Sequence, residues 1–100
     1  MAYRAPLNVE IYGSIEKGDE LYHEVNFYEG STYMIRLEAA DDNVDLDLYI
    51  ADDEGTVFYK DEDRESGATA KFEVVHSCVS TLVVKAVDGD TDYTISIEEQ

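Results

Sequence analysis

The sequence predicts an all-β protein, an antiparallel two-sheet β-sandwich of about eight strands, jelly-roll-like or immunoglobulin-like, and three observations predict it. Apolar and polar residues alternate with period two in one short stretch after another; turn residues separate those stretches at regular spacing; no stretch holds a helical period for three turns. The clearest stretch is Val44-Asp45-Leu46-Asp47-Leu48-Tyr49-Ile50. Wound as a helix, its apolar residues would be spread around the whole circumference and leave no buried stripe. As a strand, they fall on one face and Asp45, Asp47 and Tyr49 on the other. Aspartate is depleted in strands, so either the four apolar residues dominate here or the carboxylates have a role of their own.

Taken in order, residues 1–6 read as a flexible lead-in and residues 7–100 as a single domain. Leu7, Val9, Ile11 and Ile15 form the apolar series of the first strand, with Gly13 as a bulge. Lys17-Gly18-Asp19 turns the chain into a second strand carrying Leu21, His23, Val25 and Phe27; Glu29-Gly30-Ser31 leads to a third carrying Tyr33, Ile35 and Leu37. Such tight turns favour antiparallel neighbours, because parallel pairing needs a crossover of about a dozen residues or more. The stretch 44–50 follows, then the Asp52-Asp53-Glu54-Gly55 turn and a short strand over 56–60. Strands are predicted at about 69–75, 81–87 and 93–98, the last turning Tyr93, Ile95 and Ile97 inward. The predicted inward set is Val9, Ile11, Val25, Phe27, Ile35, Leu37, Leu46, Leu48, Phe72, Val74, Leu82, Val84, Ile95 and Ile97.

One hundred residues with 44% apolar content and eight tyrosines make one globular domain with one core. The charge is the outlier: 24 acidic against seven basic residues, a net charge of -17. That field repels phosphate backbones and anionic lipid, so neither nucleic acid nor membrane is expected as a partner; cations and basic surfaces are the partners it leaves. Stability is expected to rise with monovalent salt, since the Debye length falls to about 3 Å near 1 M. A melting temperature indifferent to salt removes the salt-adaptation reading given below. Cys78 is the only cysteine, so no intramolecular disulfide forms, and its residue type suits a small buried hydrophobe. A monomer is expected.

With the strands placed, a family resemblance emerges. Gly13-Ser14-Ile15, Gly18-Asp19-Glu20-Leu21-Tyr22, Val25-Asn26-Phe27 and Glu29-Gly30 before Tyr33-Met34-Ile35-Arg36-Leu37 resemble the opening of the bacterial pre-peptidase C-terminal domain, a family related to the collagen-binding domains of bacterial collagenases. The stretch 44–50 running into Asp53-Glu54-Gly55 resembles its aspartate-leucine-tyrosine strand and glycine turn, and Asp92-Tyr93-Thr94-Ile95-Ser96-Ile97 its closing strand. The match spans residues 9–97. It departs from the family at Ser77-Cys78-Val79-Ser80-Thr81, where a glycine-tyrosine pair is usual, and before the first strand, where calcium-binding members carry acidic residues and residues 1–6 carry none. The resemblance implies a non-catalytic accessory module that targets a hydrolase to its substrate, assists secretion or stabilises a neighbouring domain.

Three sets of residues could carry chemistry. Residues 41–65 hold eleven of the 24 carboxylates, a ligand type that suits calcium, with Asp45, Asp47, Asp52 and Asp53 the metal-ligand candidates. The alternative for these acids is a solvated face with diffuse screening, and no fixed-loop calcium pattern is present, because Asp61-Glu62-Asp63-Arg64-Glu65-Ser66 has serine where the turn needs glycine. His23 and His76 fall in apolar series and read as core histidines; with no nucleophile, base and acid in order, the chain is expected not to be an enzyme. Tyr12, Tyr22 and Tyr49 are expected to point outward; on neighbouring strands they would form a strip fit for an extended protein or a polysaccharide, and otherwise they brace the sheet.

The reading is therefore an accessory binding module of the pre-peptidase C-terminal kind, secreted as part of a longer protein. The alternative is a free-standing acidic structural domain in the cytoplasm of a salt-adapted organism, with no specific ligand.

Overall fold

A computed structural model describes residues 5–62 and 67–100, the side chain of Cys78 apart. Eight strands and no helix occur among the described residues: β1 (Asn8–Ile15), β2 (Glu20–Phe27), β3 (Thr32–Ala39), β4 (Leu46–Ala51), β5 (Val57–Asp61), β6 (Gly67–Glu73), β7 (Cys78–Ala86) and β8 (Thr91–Glu99). They form two four-stranded antiparallel sheets, β1-β8-β3-β6 and β2-β7-β4-β5. The predicted two-sheet sandwich of about eight strands is the observed one.

The pairing is nested. β4 pairs with β5, β3 with β6, β2 with β7 and β1 with β8, so the chain is one long antiparallel ribbon with the 52–56 turn at its tip. Successive strand pairs of the ribbon lie alternately in one sheet and the other, and β3·β8 and β4·β7 close the two sheets, which is the jelly-roll arrangement. This corrects the expectation that the first three strands pair with one another. The 16–19 and 28–31 turns are arches that carry the chain between sheets, and their backbone groups bond to residues at the end of β7 and just past the end of β6. Gly18 donates to the Ala86 carbonyl at 2.9 Å and Gly30 to the Val74 carbonyl at 2.8 Å. Both glycines adopt the left-handed φ that such arches require (87° and 85°).

The core lies between the sheets and follows the alternation. Ile35, Leu37, Ile95 and Ile97 from the first sheet face Phe27, Leu46, Leu48, Ile50, Leu82 and Val84 from the second, all buried, and Tyr33 joins them. Three members of the predicted inward set differ. Val9 is 39% exposed because β1 is an edge strand, while Ile11 and Phe72 are only partly buried against the core. The predicted strand 44–50 begins two residues late, although Val44 is buried with it. The lead-in falls partly outside the described residues, since only Ala5 and Pro6 of it are described, ahead of β1.

Gly13 is no bulge, because β1 stays in register with β8 through Tyr12↔Thr94, Gly13↔Tyr93 and Ser14↔Asp92. Its lack of a side chain makes room for the Tyr93 ring: a Cβ here would lie 2.5 Å from Tyr93 Cζ. The ring is buried, and its Oη lies 2.7 Å from His23 Nε2 of the opposite sheet. Gly13→Ala is therefore expected to push Tyr93 off that histidine and cost about 1–3 kcal/mol in denaturant unfolding. A cost within about 0.5 kcal/mol, the range of ordinary surface changes, would mean the ring has another place to go.

Candidate functional site: an aromatic groove between two turns

The jelly roll gives the molecule two unlike ends. One gathers the 16–19, 40–45 and 87–90 segments, where Glu16, Asp19, Asp41, Asp42, Asp90 and Asp92 line an open depression. The other gathers the 28–31, 52–56 and 74–77 turns, and a groove of ≈ 540 Å³ opens between the latter two.

The floor of this groove is aromatic and continuous with the core. Fully buried Tyr33 and Phe27 pack with centroids 4.7 Å apart and rings tilted by 52°; Phe72 stands edge-on to Phe27 at 5.3 Å and 84°, and Phe58 edge-on to Phe72 at 5.3 Å and 75°. Phe58 ends the series at the surface, 46% exposed. Both walls are held by hydrogen bonds. In the 52–56 turn, Asp52 Oδ1 accepts from the Glu54 and Thr56 amides at 3.0 and 2.9 Å, and the Thr56 carbonyl accepts from the Asp52 amide at 2.9 Å. In the 74–77 turn, the Val74 amide donates to the Ser31 carbonyl at 2.9 Å and Ser77 Oγ accepts from the Glu29 amide at 2.7 Å. The groove is thus preformed, with Asp52, Asp53 and Glu54 on one rim and Glu73 on the other.

The residues proposed from sequence are scattered across the molecule. Tyr22 and Tyr49 do share the outer face of the second sheet, in one row on either side of Val83, while Tyr12 lies on the outer face of the other sheet. The three form no single strip. Tyr22 donates to Glu20 at 2.9 Å and Tyr12 to Glu10. Tyr49 is half-buried, and burial, a hydrogen bond to Glu62 and the charges of Asp47, Glu62 and Glu20 push its hydroxyl up to about 12. His23 is part-buried, as its series implied, and burial lowers its pKa. His76 is instead exposed on the groove wall, because β6 ends at Glu73 and the chain leaves the sheet before reaching it.

The candidate calcium ligands fall in two places. Asp45 and Asp47 stand at the start of β4; Asp52 and Asp53 stand in the turn after its end, about 16 Å further along the strand direction. Four carboxylates so divided do not surround one ion, and no group of three or more His, Cys, Asp or Glu that could hold a metal occurs among the described residues. Asp63 to Glu65 of the acidic 61–65 loop lie outside them. Three of the remaining acids hold turn and loop backbone: Asp41 Oδ1 accepts from the Asn43 amide within its own turn, while Asp88 Oδ1 accepts from the Asp45 amide and Asp90 Oδ1 from the Lys17 amide across to other loops, at 2.8–2.9 Å. Calcium and magnesium at equal ionic strength are therefore expected to shift the melting temperature alike, with no stoichiometric heat and no change of either shift in Asp47→Asn. A one-to-one calorimetric isotherm for calcium, lost in that variant, would overturn this expectation.

Sequence reasoning missed the groove. The available signal was two adjacent apolar pairs, Val57-Phe58 and Val74-Val75, each of which must turn one member away from the core if its stretch is extended.

No protein-family model matches the chain, and none of the curated proteins compared with it does. Among solved structures it is similar to PliG of Aeromonas hydrophila, a periplasmic lysozyme inhibitor of g-type lysozyme, with a TM-score of 0.70 over 100% of this chain and 92% of that one. At 9% sequence identity the likeness is one of fold.

Proposed function

We propose that this domain is a non-catalytic binding module whose partner is a protein, working as an accessory unit of the pre-peptidase C-terminal kind beside a secreted hydrolase. One observation carries the reading: four exposed apolar side chains gather at the groove end of a strongly acidic protein. Val57, Phe58, Val75 and Val79 are each exposed there, Val75 by 67%, at the ends of strands or in the turns between them. A solvated structural domain gains nothing from a surface of that kind, whereas a contact surface needs it. The similar solved structure supports the coarser part, since it is an inhibitor of an enzyme on the same scaffold rather than an enzyme. The sequence motifs given above support the finer part.

The test is retention of the domain on insoluble polymers: fibrillar collagen and elastin against cellulose and chitin. Retention on a protein polymer, weakened in Phe58→Ala and unchanged in Tyr12→Ala, is expected. Retention on the polysaccharides alone would refute the reading. The carboxylates that hold turn and loop backbone favour a second reading, the acidic structural domain with no ligand, because they give part of the acidity a structural purpose. Retention on no polymer, together with a melting temperature that climbs with salt, would favour that one.

A further inference from the structure

We infer that the groove between the 52–56 and 74–77 turns takes an arginine side chain presented by the protein partner. The inference rests on the binding-module reading and names what such a module would recognise. Its floor offers aromatic rings: Phe58 is exposed, and the edge-on packing of Phe72 against Phe58 and Phe27 fixes their positions before any ligand arrives. A planar guanidinium stacks on such rings, and its aliphatic stem covers the apolar surface leading to them. The rim supplies the counter-charge, with Asp52, Asp53 and Glu54 on one side and Glu73 on the other, and among the described residues no lysine or arginine lines the groove. Guanidinium pairs with carboxylates through two parallel hydrogen bonds, which a lysine ammonium cannot do. With a net charge of -17, the domain also draws a basic segment toward itself before contact.

The opposite end of the molecule supplies the control. Six carboxylates gather there, and no aromatic ring lines the depression among the described residues. Were charge alone the attraction, a cation would collect at that end. Only a site that combines rings and carboxylates places it in the groove.

The experiment is a titration of the whole domain, followed by backbone amide NMR, with N-acetyl-arginine methylamide and in parallel with N-acetyl-lysine methylamide and with sodium chloride at equal ionic strength. Saturable shifts are expected at the amides around Phe58, Phe72, Glu54 and Val75, stronger for arginine than for lysine. Phe58→Ala and Phe58→Leu should each weaken the apparent affinity by about fivefold, the loss of one cation–π contact. Glu73→Gln should weaken it too. Phe58→Leu keeps the groove apolar, so a loss in that variant reports the ring itself and not a collapsed wall. Shifts confined to the acidic end, shifts that sodium chloride reproduces, or an equal response to the lysine compound would each overturn the inference. If any of these occurs while the domain is still retained on a protein polymer, only the arginine assignment falls. If the groove takes arginine but the domain is retained on polysaccharide alone, the protein-partner reading falls and the site stands.

Discussion

Truncating Leu48 to alanine is expected to lower the free energy of unfolding by about 2–5 kcal/mol, the range for deleting a fully buried leucine side chain. Leu48 is 0% exposed, and β4 lies between β5 and β7, with Leu48 paired to Asp61 on one side and to Val84 on the other. A central strand cannot swing outward to close the void as an edge strand could, so the cost belongs in the upper part of that range. For a domain of this size the melting temperature would fall by about 10–30 °C. Tyr22→Ala on the outer face of the same sheet, where the side chain is 63% exposed, is the matched control and should change stability by about 0.5 kcal/mol or less. A near-zero cost at Leu48 with a large one at Tyr22 would mean that the two faces of the sheet are inverted.

That the prediction could be framed from sequence shows what local patterning carries. Period-two alternation fixes which side of a strand is buried, so Leu46, Leu48, Ile95 and Ile97 were legible as core without any knowledge of their neighbours. Pairing was not legible, because a tight turn reads the same whether it joins two strands of one sheet or arches between two sheets. The arches at Gly18 and Gly30 differ from hairpins only through bonds to Ala86 and Val74, residues more than forty positions away. Gly13 is a similar case: its requirement comes from the Tyr93 ring of a strand at the far end of the chain. The candidate site was hidden for a related reason. Phe58 and Phe72 lie on strands of different sheets, β5 and β6, and meet only because both strands stand at sheet edges, where a side chain can lean past the sandwich. Alternation assigned Phe72 to the core and left Phe58 without a role.

Asp47 answers the question that its presence in a strand raised, whether its carboxylate has a role. Its side chain is only 7% exposed on the outer face of the second sheet, and its Oδ1 has no hydrogen-bond partner among the described residues. Burial, first, and the neighbouring charges of Asp45, Glu62 and Asp61 raise its pKa from 3.8 to about 6, against the opposing pull of Lys85, its cross-strand partner. A carboxyl that holds its proton more tightly in the folded than in the unfolded state contributes stability that is complete below pH 3.8 and is lost as the pH rises through about 6. At pH 7 the residue is thus a burden, of about 2–3 kcal/mol for a shift of this order. Asp47→Asn should make the domain more stable at pH 7 by about 1–3 kcal/mol and have little effect at pH 4, leaving the variant with a flatter stability profile between those values. General repulsion among 24 acidic residues acts in the same direction, so the comparison belongs at about 1 M salt, where exposed charges are screened and a desolvated one is not. Urea unfolding of both proteins across that pH window supplies the measurement. Parallel profiles, or an asparagine variant less stable at pH 7, would mean that Lys85 already compensates the buried charge and that the carboxylate is retained for its pairing.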